Sequence, residues 1–138
     1  YTVIGDAVNL AARLEGATKQ YGARFLISEF TWAEISPTLQ AGFRFVDLMR
    51  VKGKLEPVGV YEGIERHEIA EDQAINWQSA INDYRSKNWT AARAGFESAV
   101  RLQSSGDAMA QIYLDRIAIF EIDPPAEDWD GVWVMETK

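Results

Sequence analysis

Cysteine is absent from the 138-residue chain, and histidine occurs once, as His67. Those two facts exclude disulfides, cysteine nucleophiles, thiolate or imidazole zinc clusters and a serine-histidine relay. Positive charge is also in short supply: 14 Lys and Arg against 21 Asp and Glu give a net charge of −7 and a pI near 4.7. A chain so acidic has no basic footprint, and nucleic acid is not expected among its partners. No apolar run approaches the roughly 18 to 20 residues that span a bilayer, and the first residues show no basic-then-apolar signal pattern. No part of the chain is therefore expected to cross a membrane.

What is present suffices for a core. Apolar residues make up 47% of the chain, enough for one ordinary domain or two small pieces. A composition shift near residue 65 divides it. Before the shift, strand-like runs at Tyr1 to Ile4, Arg24 to Ser28, Phe43 to Val51 and Pro57 to Ile64 are punctuated by glycine and proline, with helical patterns between the first three. After it the period is almost wholly helical. Residues 65–70 read as a short charged linker, in which His67 is a solvated residue.

The first helix can be derived residue by residue. Asp6 is a suitable N-cap, since its carboxylate can accept from the open N–H groups of the first turn. Leu10, Leu14, Ala17 and Tyr21 follow at spacings of four, three and four, which makes one buried stripe, and Gly22 ends it. Asn9 and Arg13 lie four apart and share a face. On spacing alone they are a solvated polar flank.

Taken together, Tyr1-Thr2-Val3-Ile4-Gly5-Asp6-Ala7-Val8-Asn9-Leu10-Ala11-Ala12-Arg13-Leu14-Glu15 closely resembles the strand-to-helix segment of the class III adenylate and guanylate cyclases. Arg24-Phe25-Leu26-Ile27-Ser28 resembles that family's next strand. Val51-Lys52-Gly53-Lys54, followed by Pro57-Val58-Gly59-Val60-Tyr61, resembles its terminal hairpin. The resemblance covers about residues 1–64. It implies the C-terminal half of a ferredoxin-like catalytic domain, with the metal-binding aspartates and a base-reading lysine expected in an N-terminal half upstream.

In that family the ribose 3′-hydroxyl of ATP attacks the α-phosphate and pyrophosphate leaves, with two Mg or Mn ions assisting. The resemblance gives Arg13 the role of stabilising charge on the phosphoryl oxygens, and Asn9 that of orienting the ribose. Lys52 matches the lysine that meets the terminal phosphates, whereas Lys54 reads as a solvated hairpin residue. Thr2 falls at the purine-facing position, where its hydroxyl favours ATP. Asp6 matches no metal ligand of the family and stays a cap.

The second half has its own pattern. Trp77, Ala80, Ile81 and Tyr84 share one helical face, Lys87-Asn88 breaks the run, and Ala92, Phe96 and Ala99 resume it after Trp89. This order resembles a single tetratricopeptide repeat, with a plain helical extension as the alternative. A third helix is expected from the N-cap Asp107 to Phe120, with Met109, Tyr113 and Ile117 on one face. A lone repeat cannot cover its own apolar face and must pack on a neighbour. The tail, with Asp123-Pro124-Pro125 and the Asp130-Gly131 turn, resembles the C-terminus of bacterial membrane-anchored sensor cyclases. Trp129 and Trp133 are expected to dock on the protein surface, with an aromatic ligand platform as the alternative.

The expected architecture is α+β: half a nucleotide cyclase domain over residues 1–64, the 65–70 linker, a small all-α repeat-like module over 71–121 and a tail over 122–138. The expected function is that of a fragment of a bacterial adenylate cyclase in signal transduction, inactive alone. It would work on the cytoplasmic side of the membrane as a homodimer, from a parent anchored through an upstream sensor. The rival is a catalytically inactive cyclase-like module used for dimerisation and protein interaction.

Overall fold

The structure is a computed structural model that describes residues 11, 13–19, 21, 25–50, 56–64, 71–102 and 106–133. The expected strand at Tyr1 to Ile4, the Asp6 cap, Leu10, Gly22 and the 65–70 linker lie outside the described residues. The chain divides into two compact units, Tyr1–Gly63 with Gly131–Lys138, and Ile64–Asp130.

In the first unit, helix α1 (residues 13–19) precedes β1 (Leu26–Ser28), α2 (Glu29–Glu34), α3 (Pro37–Gln40), β2 (Phe43–Met49) and β3 (Val58–Gly63). The sheet is antiparallel, in the order β1-β3-β2. The central place of β3 fits its sequence, since Val58, Gly59 and Val60 are buried in succession. Both short helices start on serine caps: the Ser28 hydroxyl accepts from Thr31 N–H, and the Ser36 hydroxyl accepts from Leu39 N–H with Pro37 in the first turn.

One irregularity in β2 decides which side chains reach α1. Phe45 pairs with Tyr61 but Asp47 pairs with Val60, so Val46 is an extra residue in a β-bulge. Strict alternation would put Asp47 on the face of Phe45. The bulge flips it to the other face, with Met49, Val58 and Val60, all of them buried. There the Tyr21 hydroxyl donates to Asp47 Oδ2 at 2.6 Å, while Asp47 Oδ1 accepts from Leu48 N–H at 2.9 Å. On the opposite face Trp32 of α2 stacks on Tyr61 with ring centroids 4.5 Å apart, and Glu29 Oε1 accepts from Gly59 N–H at 2.7 Å.

The second unit is three helices, α4 (Glu71–Arg85), α5 (Trp89–Leu102) and α6 (Ala108–Ile122). The stripe expected from spacing is the core: Trp77, Ala80, Ile81, Tyr84, Ala92, Phe96, Met109, Tyr113 and Ile117 are all buried. Its aromatic rings form a connected set. Phe96 stacks on Tyr113 at 4.6 Å, and Trp77 and Tyr84 meet Tyr113 edge-on. The break at Lys87-Asn88 is a Schellman end: Lys87 N–H donates to Tyr84 O and Asn88 N–H to Asp83 O, with Lys87 at φ 64°. Glycine usually takes this left-handed position. Here the lysine side chain has a use, since its Nζ donates to Ala126 O and Glu127 O at 3.0 and 3.3 Å. Those bonds hold the segment after α6, and Trp129 on it packs against Tyr84 and Phe120. Asp107 caps α6 as expected, accepting from Met109 N–H and Ala110 N–H.

Two predictions follow from this packing. Helices α4 and α5 approach closely at Gly95, where an added Cβ would lie 2.6 Å from Ala80 Cβ. Gly95→Ala should therefore destabilise the unit by about 1 kcal/mol or more, despite alanine's better helix propensity, because overpacking costs ~1–3 kcal/mol. The cost should shrink in an Ala80→Gly background, and equal costs in both backgrounds by urea unfolding would contradict the close approach. In the first unit, Tyr21→Phe takes the hydroxyl donor from a buried carboxylate and should cost about 1.5–3 kcal/mol. A loss under ~0.5 kcal/mol would show that the Tyr21–Asp47 bond does not hold α1 to the sheet.

Candidate functional site

Helix α1 carries Arg13 and Ala17, and Tyr21 beyond it is also helical. Arg13, Ala17 and Tyr21 are spaced i, i+4 and i+8, and Ala17 and Tyr21 are fully buried. Arg13 thus rises from the buried edge of the helix and is itself half-buried. The solvated flank suggested by spacing alone does not describe it. Because Tyr21 is pinned to Asp47, the two turns of helix between them set where the Arg13 stem begins.

Arg13 lines a cleft of about 250 Å³ within the first unit. Arg50, at the end of β2, lines it too, and its apolar lining includes Tyr21, Met49 and Val132. Trp133 completes the wall. The last two residues come from the far end of the chain, which returns to the first unit from Gly131, where φ is 89°. Val132 is buried and Trp133 half-buried.

Among the described residues that line the cleft, two are permanently cationic and none is a carboxylate. Guanidinium groups match phosphate oxygens in planar, two-pronged geometry, and their charge does not titrate. The cleft is chemically suited to an anion carrying phosphoryl groups. Among the described residues no group of three His, Cys, Asp or Glu gathers that could hold a metal ion. No described helix is long and apolar enough to cross a membrane.

Of the candidate site residues Thr2, Asn9, Arg13 and Lys52, Arg13 alone falls within the described structure. Thr2, Asn9 and Lys52 lie outside the described residues. Sequence reasoning did not find Arg50 or the return of Trp133. Tyr61 shows the unit's resolved proton shift: burial raises its phenol above the ordinary value, and the nearby Glu29 carboxylate adds to the effect. Tyr61 is therefore a neutral hydrogen-bonding group throughout the neutral range.

No protein-family model and no solved structure matches the chain at a meaningful level. Three curated proteins are similar to it. An adenylate cyclase of Dictyostelium discoideum described as terminal-differentiation specific is 33% identical over 121 residues, covering 83% of this chain and 6% of the relative. An adenylate cyclase of Anabaena cylindrica is 48% identical over 62 residues, 44% of this chain and 12% of the relative. Adenylate cyclase 1 of Rhizobium meliloti (strain 1021) is 37% identical over 62 residues, 45% of this chain and 9% of the relative. The chain thus spans a small part of each of these proteins. The 83% covered in the Dictyostelium match exceeds what the first unit holds, so that similarity reaches into the helical unit. These matches support a relationship to the adenylate cyclases.

Proposed function

We propose that the chain is the C-terminal half of a class III adenylate cyclase catalytic domain, followed by a tetratricopeptide-like helical module. The observation that carries this reading is the place of Arg13, the residue that matches the family's transition-state arginine, in a cleft that Arg50 also lines. The relationship to proteins named adenylate cyclase supports it.

In this reading the ribose 3′-oxygen of ATP forms a bond to the α-phosphorus, the bond to the β-phosphate oxygen breaks, and pyrophosphate leaves. The hydroxyl proton passes to solvent. Negative charge grows on the α-phosphoryl oxygens and the leaving group as the bonds exchange. Arg13, aimed there, stabilises the transition state more than the bound substrate. Asn9 holds the ribose, Lys52 meets the terminal phosphates, and Thr2 hydrogen-bonds the purine edge. Magnesium or manganese would be held by carboxylates outside this chain. The working unit is a homodimer, with the metal-binding side of each site on the other protomer, and the parent is anchored by an upstream sensor with this part in the cytoplasm.

The test has two arms. This chain alone should make no cyclic AMP from ATP with either metal, and turnover above a buffer blank would overturn the assignment of a half domain. In the longer protein, Arg13→Ala should lower kcat by about 10²-fold or more, with a smaller change in KM. Lys52→Ala should act substantially through KM, because it meets charge already present in the ground state. If both variants kept kcat/KM within about twofold of the parent, the site assignment would fall.

A further inference from the structure

The segment after α6 is held by contacts of the kind that capture a peptide. It forms no helix or strand. Trp129 N–H donates to Ala126 O at 3.0 Å across a turn, and Pro124 and Pro125 ahead of it have no N–H to give. The Lys87 ammonium donates to the Ala126 and Glu127 carbonyls, which is recognition of main chain and not of sequence. The Trp129 ring lies 5.4 Å from Tyr84, 5.2 Å from Phe120 and 6.1 Å from Trp89, measured between ring centroids. Main-chain bonds together with one ring in an aromatic slot are how a groove holds an extended segment of another chain.

Lys87 bears a cost for its part in this. It sits at φ 64°, in the left-handed region that glycine takes without steric penalty. A residue held there points to a use beyond the turn itself, and the grip on residues 126 and 127 is that use. The segment buries none of its own side chains fully, whereas Tyr84 and Phe120 beneath it are buried. A stretch with so little buried surface opens locally while the helices under it stay folded.

We infer that residues 123–130 are a latch over a peptide-docking slot: Tyr84, Trp89 and Phe120, with Lys87 at the rim, accept an extended tryptophan-bearing segment of a partner protein that displaces the latch. The latch defines the chemistry of that segment. It must bring a ring to the slot and, three and two residues ahead of the ring, carbonyls for the ammonium. Glu127 and Asp128 are exposed, and their side chains set no requirement. A second copy of the chain is the weaker occupant, because exchanging identical latches gains no contact and adds the cost of association. The inference concerns the helical unit alone and does not depend on the cyclase reading.

The probe is a synthetic peptide of residues 123–131, Asp-Pro-Pro-Ala-Glu-Asp-Trp-Asp-Gly, titrated by NMR into the full 138-residue chain. In the wild type the tethered latch outcompetes the peptide, so Trp129→Ala, which no longer fills the slot, should bind it at least about tenfold more tightly. The same peptide with alanine for its tryptophan should bind neither chain. Adding Lys87→Gly to Trp129→Ala should weaken the peptide by about tenfold. Lys87→Gly on its own relieves the left-handed backbone and removes the grip. Hydrogen exchange should then rise at residues 126–130 and stay slow in α4, α5 and α6, which separates an open latch from a folding defect. The inference is overturned if Trp129→Ala binds the peptide no more tightly than the wild type, or if the alanine peptide binds as well. It is also overturned if Lys87→Gly speeds exchange in the latch and the three helices together, since the segment would then be a plain part of the core. A wild-type dimer that Trp129→Ala abolishes, seen by sedimentation, would overturn it in favour of exchange between copies.

Discussion

The hydrogen bond from the Tyr21 hydroxyl to the buried Asp47 carboxylate is the constraint on which the first unit's site depends. It joins the helix that carries Arg13 to β2, the strand that Arg50 follows. Removing one donor from a buried carboxylate is costly, so this contact resists the sliding that apolar packing tolerates. The bulge at Val46 is its precondition, because only the extra residue turns Asp47 toward Tyr21. One backbone irregularity, one hydrogen bond and two turns of helix thus decide where a guanidinium stands.

The second unit solves a different problem. Three helices make a small core, and this one is built from large rings, in which Trp77, Tyr84, Phe96 and Tyr113 interlock at centroid distances of 4.6 to 6.1 Å. Aromatic pairs bury much area for little rotamer entropy, which suits a module of this size. Lys87 extends the core by holding the segment after α6, so that Trp129 caps the ring cluster. The same segment leads on to Gly131, where the chain rejoins the first unit. The two ring-bearing residues of the tail therefore have different uses: Trp129 closes a core, and Trp133 opens onto a cleft.

What the sequence disclosed follows the range of the forces involved. The stripes of α4, α5 and α6, the Asp107 cap and the stop at Lys87-Asn88 are local, and each could be read from neighbours within a turn or two. The bulge left no mark, because a single extra residue changes neither composition nor β propensity. Lysine in the left-handed position was equally hidden, since its reason lies 39 residues away at the Ala126 carbonyl. Arg13 is singled out by the family resemblance alone. Arg50 carries no local mark in the sequence, and Trp133 is 120 positions from Arg13, a pairing that only the fold creates.

The central claim is that Arg13 serves a phosphoryl site completed by a second protomer. The most direct measurement mixes two inactive forms of the longer protein, one with Arg13→Ala and one lacking the metal-binding carboxylates proposed upstream, and assays cyclic AMP formation. Half of the reassorted dimers would be mixed, and each would hold one intact site of two, so the mixture should recover about a quarter of the parent's activity. Mixing Arg13→Ala with Lys52→Ala should give no more activity than the two variants contribute separately, because both residues belong to the same side of the site. No recovery in the first mixture, or full recovery in the second, would contradict the account.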